Sequence, residues 1–168
     1  FTIVVAAFNR PDALSALLSD LIKTRFESKR IDLIVSIDGG GCDMDDVLRA
    51  VDWKFGLFSV INHKSNIGLA RHFFYCGDLC LQVGPVVFLE EDMNVSPFFE
   101  AYTLASIVAF EDDPRIAAIC LSNFEYDESS RTHLTPILDG SDTYFSRLPY
   151  WGKIWIPEKW ERFKTWYS

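Results

Sequence analysis

Several stretches of this chain are apolar at nearly every residue. Phe1 to Phe8, Ile31 to Ile37 and Val86 to Leu89 lack the alternation of a strand with one wet face. Strands of this kind must be covered on both sides, and the usual way to do that is a mostly parallel sheet between two layers of helices. The intervening segments fit. Leu14, Leu17, Leu18, Leu21 and Ile22 recur at helical spacing after Asn9-Arg10-Pro11-Asp12, with Pro11 suited to a first helical position. The expected fold is therefore α/β, a three-layer α/β/α sandwich.

The rest of the chain continues the alternation. Ile31 to Ile37 ends at Asp38-Gly39-Gly40-Gly41, and a short helix from Met44 to about Trp53 precedes a third strand at Leu57 to Ile61. Asn66-Ile67-Gly68 breaks the chain before a helix from Leu69 to about Leu81. Val86 to Leu89 follows, then a helix over Phe98 to Glu111 and a strand at Ile116 to Leu121. Ser122 to Tyr144 is polar and aperiodic, a long loop of the sort that is usually functional or mobile. The tail from Tyr150 to Tyr167 holds four of the five tryptophans. With 168 residues and 49% hydrophobic content, residues 1–168 read as a single domain with a sizeable core. The chain begins at Phe1, already inside a strand and without an initiator Met, so it is expected to be a piece of a longer protein.

A formal net charge of −8 excludes a general nucleic-acid binder, which needs a basic face, but leaves room for a nucleotide. No apolar run approaches the ~18 residues of a membrane helix. The four cysteines show no CxxC pair. His72, Cys76 and Cys80 would form one helical stripe, but three ligands on one helix face cannot close a zinc tetrahedron alone. Small buried cysteines are the ordinary reading, and their spacing favours a reducing compartment such as the cytoplasm, with the Golgi lumen as the alternative.

The chemistry is expected where the strands end. Val86-Val87-Phe88-Leu89 runs directly into Glu90-Glu91-Asp92. In a parallel sheet the carboxyl ends share one edge, so Ala7-Phe8-Asn9-Arg10, Asp38-Gly39-Gly40-Gly41 and the acidic triplet should be neighbours there. Three close carboxylates call for a positive partner, and no Lys or Arg stands near them in sequence. A Mn²⁺ or Mg²⁺ ion holding a phosphorylated substrate meets that need, whereas the competing reading is an acidic turn that caps the next helix. Asp38 could accept a hydrogen bond from a base or ribose, or simply form a tight turn. Arg71, in the first turn of the helix opened by Asn66-Ile67-Gly68, suits a diphosphate or is merely solvated. Neither GxGxxG nor GxxxxGK[ST] occurs.

Taken in order, strand-AAFNRP, strand-SIDGGG, the NIGLAR helix and strand-FLEEDMNVSPFF resemble the GT-A glycosyltransferases. The last segment is similar to the N-acetylglucosaminyltransferase I type, and the pattern also resembles family 2 glycosyltransferases. The resemblance implies a Rossmann-like domain that moves a hexosyl or N-acetylhexosaminyl group from a nucleotide-diphosphate donor, a UDP-sugar, to a hydroxyl of a glycan or glycoconjugate, with inversion. It makes the triplet a DxD-type motif whose Asp92 ligates Mn²⁺ or Mg²⁺, with Glu91 facing ribose or sugar, Asp38 the uracil and Arg71 the donor. Ala7, Phe8, Asn9, Arg10, Asn66, Gly68 and Glu90 complete the implied donor site. Trp151 and Gly152 correspond to the Trp-Gly segment on the acceptor side. Here the triplet reads Glu-Glu-Asp and keeps only the final Asp. The implied base lies beyond Ser168, with Glu125 and Asp127 as substitutes from the polar loop. Two alternatives stand beside this reading, a non-catalytic nucleotide-sugar-binding domain and a sugar nucleotidyltransferase. The latter would show a Gly-rich loop with Arg and Lys after the first strand, which Ala6-Ala7-Phe8-Asn9-Arg10 lacks.

Overall fold

The computed structural model describes residues 1–122, 126–127, 130–133 and 152–168. Its six-stranded sheet has the order β3-β2-β1-β4-β8-β5. β1 (Thr2–Ala7) is central and pairs in parallel with β2 (Asp32–Ile37) on one side and β4 (Val86–Glu90) on the other. β2 pairs in parallel with β3 (Phe58–Asn62). β8 (Lys153–Trp155) runs antiparallel between β4 and β5 (Ile119–Cys120). A separate two-stranded ribbon joins β6 (Tyr126–Asp127) to β7 (Thr132–His133). The expected mostly parallel α/β sandwich is the observed fold.

Two cores flank the sheet, as strands apolar on both faces require. On one face Ile3, Val5, Leu33, Val35, Val87 and Leu89 pack against α1 (Pro11–Lys23), whose Leu14, Leu17, Leu18 and Leu21 are buried, and against Phe99 of α5 (Phe99–Phe110). Pro11 opens α1, where its missing N–H costs nothing. On the other face Val4, Val86, Phe88 and Trp155 meet Cys76, Leu79, Cys80 and Trp160. Apart from Leu79, which links the first two helices, these come from α3 (Leu69–Asp78), α4 (Cys80–Val83) and α6 (Pro157–Tyr167). Burial pushes the Cys76 and Cys80 thiols up to about 12, so both are protonated and inert.

Several elements differ from the expectation, for visible reasons. The helix after Met44 is only α2 (Asp45–Arg49); the chain then turns so that Trp53 Nε1 can donate to the Ile31 carbonyl at 2.8 Å. The helix over residues 69–81 divides at Leu79. The strand expected from Ile116 shrinks to Ile119–Cys120, because the Asp113 and Ile116 carbonyls accept hydrogen bonds from Lys159 Nζ at 2.7 and 3.1 Å. The tryptophan-rich tail supplies a sheet strand and a covering helix. No helix among the described residues is long and apolar enough to cross a membrane.

α6 is fixed to α3 by one close fit. Trp160 is fully buried, its Nε1 donates to Asp78 Oδ1 at 2.8 Å, and Lys164 Nζ reaches the same oxygen at 2.6 Å. The indole lies so near Gly77 that a Cβ there would come within 2.2 Å of its ring. Neither helix backbone nor buried indole can yield cheaply. Gly77→Ala is therefore expected to destabilise the protein by about 1–3 kcal/mol, as overpacking does; urea denaturation followed by tryptophan fluorescence would measure it.

Candidate functional site

In the order β3-β2-β1-β4 the chain proceeds outward from β1 in one direction, then crosses back to place β4 on β1's other side. The crevice outside the carboxyl ends at such a reversal is where open α/β sheets bind ligands. Here that crevice lies between the residues that follow β1 and those that follow β4, and both segments are the ones singled out from the sequence.

They are bonded to each other. The Glu91 N–H donates to the Ala6 carbonyl at 3.0 Å, extending the β1–β4 ladder, and Phe8 N–H donates to Glu91 Oε2 at 2.9 Å. Glu91 is thus buried and turned towards the backbone of the β1 exit. Arg10 Nη1 forms an ion pair with Asp92 Oδ2 across the mouth. The positive partner that the sequence lacked near the triplet is therefore in the chain itself, 82 positions away, delivered by strand pairing. The pair is exposed, with side chains 59% and 48% accessible, so it holds Asp92 only weakly. Glu90 is half-buried. Burial raises its pKa, Asp92 and Glu91 add to the effect, and Lys153 and Arg10 oppose it. The Lys153 amine, 5.6 and 5.8 Å from the Phe73 and Trp155 ring centroids, is itself pushed down by burial.

Asp38 follows β2 and is 4% exposed. Its Oδ1 accepts from Gly39 N–H at 2.9 Å and Ile67 N–H at 2.8 Å, and its Oδ2 from Gly68 N–H at 3.1 Å. The carboxylate thus organises the Asn66-Ile67-Gly68 turn, in which Gly68 has a φ of 84° that favours glycine. The neighbouring glycines serve the same closure. A Cβ on Gly39 would stand 2.4 Å from the His63 carbonyl oxygen, and one on Gly41 would stand 2.0 Å from that of Phe8. They let the chain approach itself closely. Asn9, Asn66 and Arg71 are exposed around this edge, Arg71 in the first turn of α3.

Behind Asp38 lies a polar cluster that the sequence did not reveal. Ser36 Oγ lies 2.8 Å from His72 Nε2 and 3.3 Å from His63 Nε2, so one hydroxyl can donate to one imidazole and accept from the other. Ser36 and His63 are 27 positions apart and meet only through the β2–β3 pairing. Gly152 adopts a φ of 60°, where a Cβ would stand 3.1 Å from Leu121 Cβ, and its carbonyl accepts from Leu121 N–H at 3.0 Å. Glu125 and Trp151 lie outside the described residues, as does the side chain of Asp127. Beside Asp92, on the α5 side, opens a cavity of about 540 Å³ that includes Gly152.

Among the described residues no cluster of three or more His, Cys, Asp or Glu side chains could hold a metal ion by itself. What the edge does offer is Asp92 with Glu90 beside it, the one or two carboxylates that a Mg²⁺-type ion uses when phosphate oxygens complete its shell. The donor set fits an ion that arrives with a nucleotide and does not fit a resident one.

No protein-family model matches the chain, and no curated protein is similar to it in sequence. Solved structures are similar in fold. The mannosyltransferase PcManGT from Pyrobaculum calidifontis, in complex with GDP-Man and Mn²⁺, aligns at TM-score 0.55 and 15% identity over 74% of this chain and 35% of its own. S. aureus TarS 1–349 in complex with UDP aligns at TM-score 0.51 and 16% identity over 66% of this chain and 32% of its own. Its complex with UDP-GlcNAc gives 0.50 and 15% over the same shares. The α/β fold is thus shared with nucleotide-sugar glycosyltransferases of the GT-A type, and this chain spans about a third of their length.

Two outcomes test the site's geometry. Asp38→Ala leaves up to three backbone N–H groups without their acceptor, and each one that stays buried costs about 1–3 kcal/mol; chemical denaturation should show a loss of that order. His72 is almost fully buried, and burial lowers its pKa below the ordinary 6.5 although Asp38 pulls it upward. Between that lowered value and 6.5 the unfolded chain binds more protons than the native one. Stability should therefore fall as pH drops below about 6.5. His72→Asn should flatten that slope in urea denaturation at pH 7.5 and 5.5.

Proposed function

We propose that this edge binds a nucleoside diphosphate-sugar and that the chain is the donor-binding part of a glycosyltransferase acting on a hydroxyl acceptor. The observation that carries the reading is the closure of the β1–β4 switch point, where Arg10 and Asp92 face one another at the mouth of the crevice. A diphosphate brings negative charge to Arg10, while a divalent ion brings positive charge to Asp92, so a metal–nucleotide complex replaces both halves of the ion pair at once. When bound, Mn²⁺ or Mg²⁺ would act as a Lewis acid for the departing diphosphate, with Asp92 as its protein ligand and Glu90 beside it.

The chain's own residues supply the positioning. Glu91 holds the Phe8 backbone, and Asp38 shapes the turn from which α3 and Arg71 start. On this reading Asp38 acts on a uracil mainly through that turn, and the donor is a UDP-sugar. The transfer proceeds with inversion, the sugar being hexosyl or N-acetylhexosaminyl.

One observation favours a second reading. Because Arg10 already neutralises Asp92, the edge could hold a nucleotide-sugar without a metal and without catalysis. Thermal melts with UDP, with Mn²⁺ and with both distinguish the two. For the enzyme, the pair of ligands together should stabilise more than either alone, reaching about 2.7 kcal/mol over the ligand-free protein at a hundredfold excess over Kd. Asp92→Asn should remove the metal-dependent part and leave the ligand-free midpoint almost unchanged, since an exposed pair contributes ~0–1 kcal/mol. Equal stabilisation by UDP with and without Mn²⁺ would support the non-catalytic domain, and none in any sample would overturn both.

A further inference from the structure

The cavity beside Asp92 is built mainly from hydrocarbon. Leu89, Met93, Val95, Phe98, Tyr102 and Leu121 form its walls, between the exit of β4, the start of α5 and the end of β5. Its volume, about 540 Å³, is that of a small-molecule site. Three polar side chains on the walls are engaged by the protein. Tyr102 Oη donates to the Cys120 carbonyl at 3.1 Å, which turns the phenol into an apolar wall. Asn94 Nδ2 donates to Asp20 Oδ2 at 3.0 Å, and Ser96 Oγ accepts from Phe98 N–H at 3.2 Å. Asp92 belongs to both the cavity and the switch-point crevice.

A sugar placed here would set most of its hydroxyls against apolar walls, with Asp92, Asn94, Ser96 and Ser122 as the polar side chains of the lining, and hydroxyls left unsatisfied oppose binding. A ring-sized apolar group would instead displace water from Leu89, Met93, Val95 and Leu121 and lie against Phe98 and Tyr102. α5 agrees with this use. With Phe98 just before it, it is apolar on its exposed side, Phe98 being 66% and Val108 76% accessible, while Glu100, Thr103 and Ser106 are buried, the reverse of a helix serving only the core.

We propose that this cavity receives the apolar part of an acceptor, an aryl or isoprenoid-like group, and holds the acceptor hydroxyl at the Asp92 end. The location of that hydroxyl rests on the donor-site reading above; the apolar character of the cavity does not.

The test is calorimetric titration of the 168-residue chain with 2-naphthylmethanol, geraniol and methyl β-glucoside, each with and without UDP and Mn²⁺. At least one apolar alcohol should bind in both conditions, and the glucoside at least about tenfold more weakly. The tighter of the two alcohols identifies a ring-shaped or a branched-chain group. Phe98→Ser, at an exposed position that does not endanger folding, should weaken the alcohol about tenfold, the order expected for losing an aromatic wall. Val108→Ser, outside the cavity on the same helix, should leave it unchanged. Preference for the glucoside, an unchanged Phe98→Ser variant or an equal loss in Val108→Ser would each overturn the proposal. Binding of UDP without either alcohol would sink the cavity proposal alone. Binding of an alcohol without UDP would sink the donor reading and with it the placement of the hydroxyl, leaving an apolar-ligand cavity.

Discussion

The parallel pairing of β1 on both of its edges is the constraint from which the rest of this molecule follows. Thr2–Ala7 is bonded along its length to Asp32–Ile37 on one side and to Val86–Glu90 on the other. Its Ile3, Val4 and Val5 are fully buried between the two helical layers. A strand held in this way cannot slip by one residue without exchanging one apolar core for the other. The residues after it are fixed as firmly. Phe8 and Arg10 arrive opposite Glu91 and Asp92 because the β1–β4 register brings the two strand ends together.

Much of the acidity at this edge is spent on architecture. Asp38 and Glu91 are buried, and both accept hydrogen bonds from backbone N–H groups of turns distant in sequence. A buried carboxylate that accepts from amides is stabilising, whereas one facing other carboxylates is not. Glu90 and Asp92 remain to face the crevice, and Asp92 is shared with Arg10. The available charge is therefore smaller than the sequence suggests, and Arg10 offsets part of it before any ligand enters.

The apolar runs were enough to read the layered fold, because burial on both faces leaves a direct trace in composition. The meeting of the segments after β1, β2 and β4 at one edge was legible for the same reason, since strand ends in a parallel sheet share an edge. What escaped was contact between residues distant in sequence. Nothing local to Glu90-Glu91-Asp92 indicates Arg10, and nothing local to Ser36 indicates His63 or His72. The two readings of Asp38, a ligand contact and a tight turn, stayed open because the amides it accepts from, Ile67 and Gly68, lie about thirty positions away. β8 escaped because its three residues lie in an aromatic stretch whose helical part dominates, and the cavity beside Asp92 because its walls come from three elements.

The sheet also contains a point at which the chain can be lengthened without disturbing it. Leu121 N–H donates to the Gly152 carbonyl, so two residues 31 positions apart meet at one hydrogen bond beside the sheet. With the two ends clamped together, the entropy of closing the segment rises by only about 0.6 kcal/mol for each doubling of its length. The β8 and β5 strands on either side of the clamp carry the ladder whatever lies between. The fold thus admits a change of length between these clamped ends beside the cavity while the β1–β4 frame stays the same.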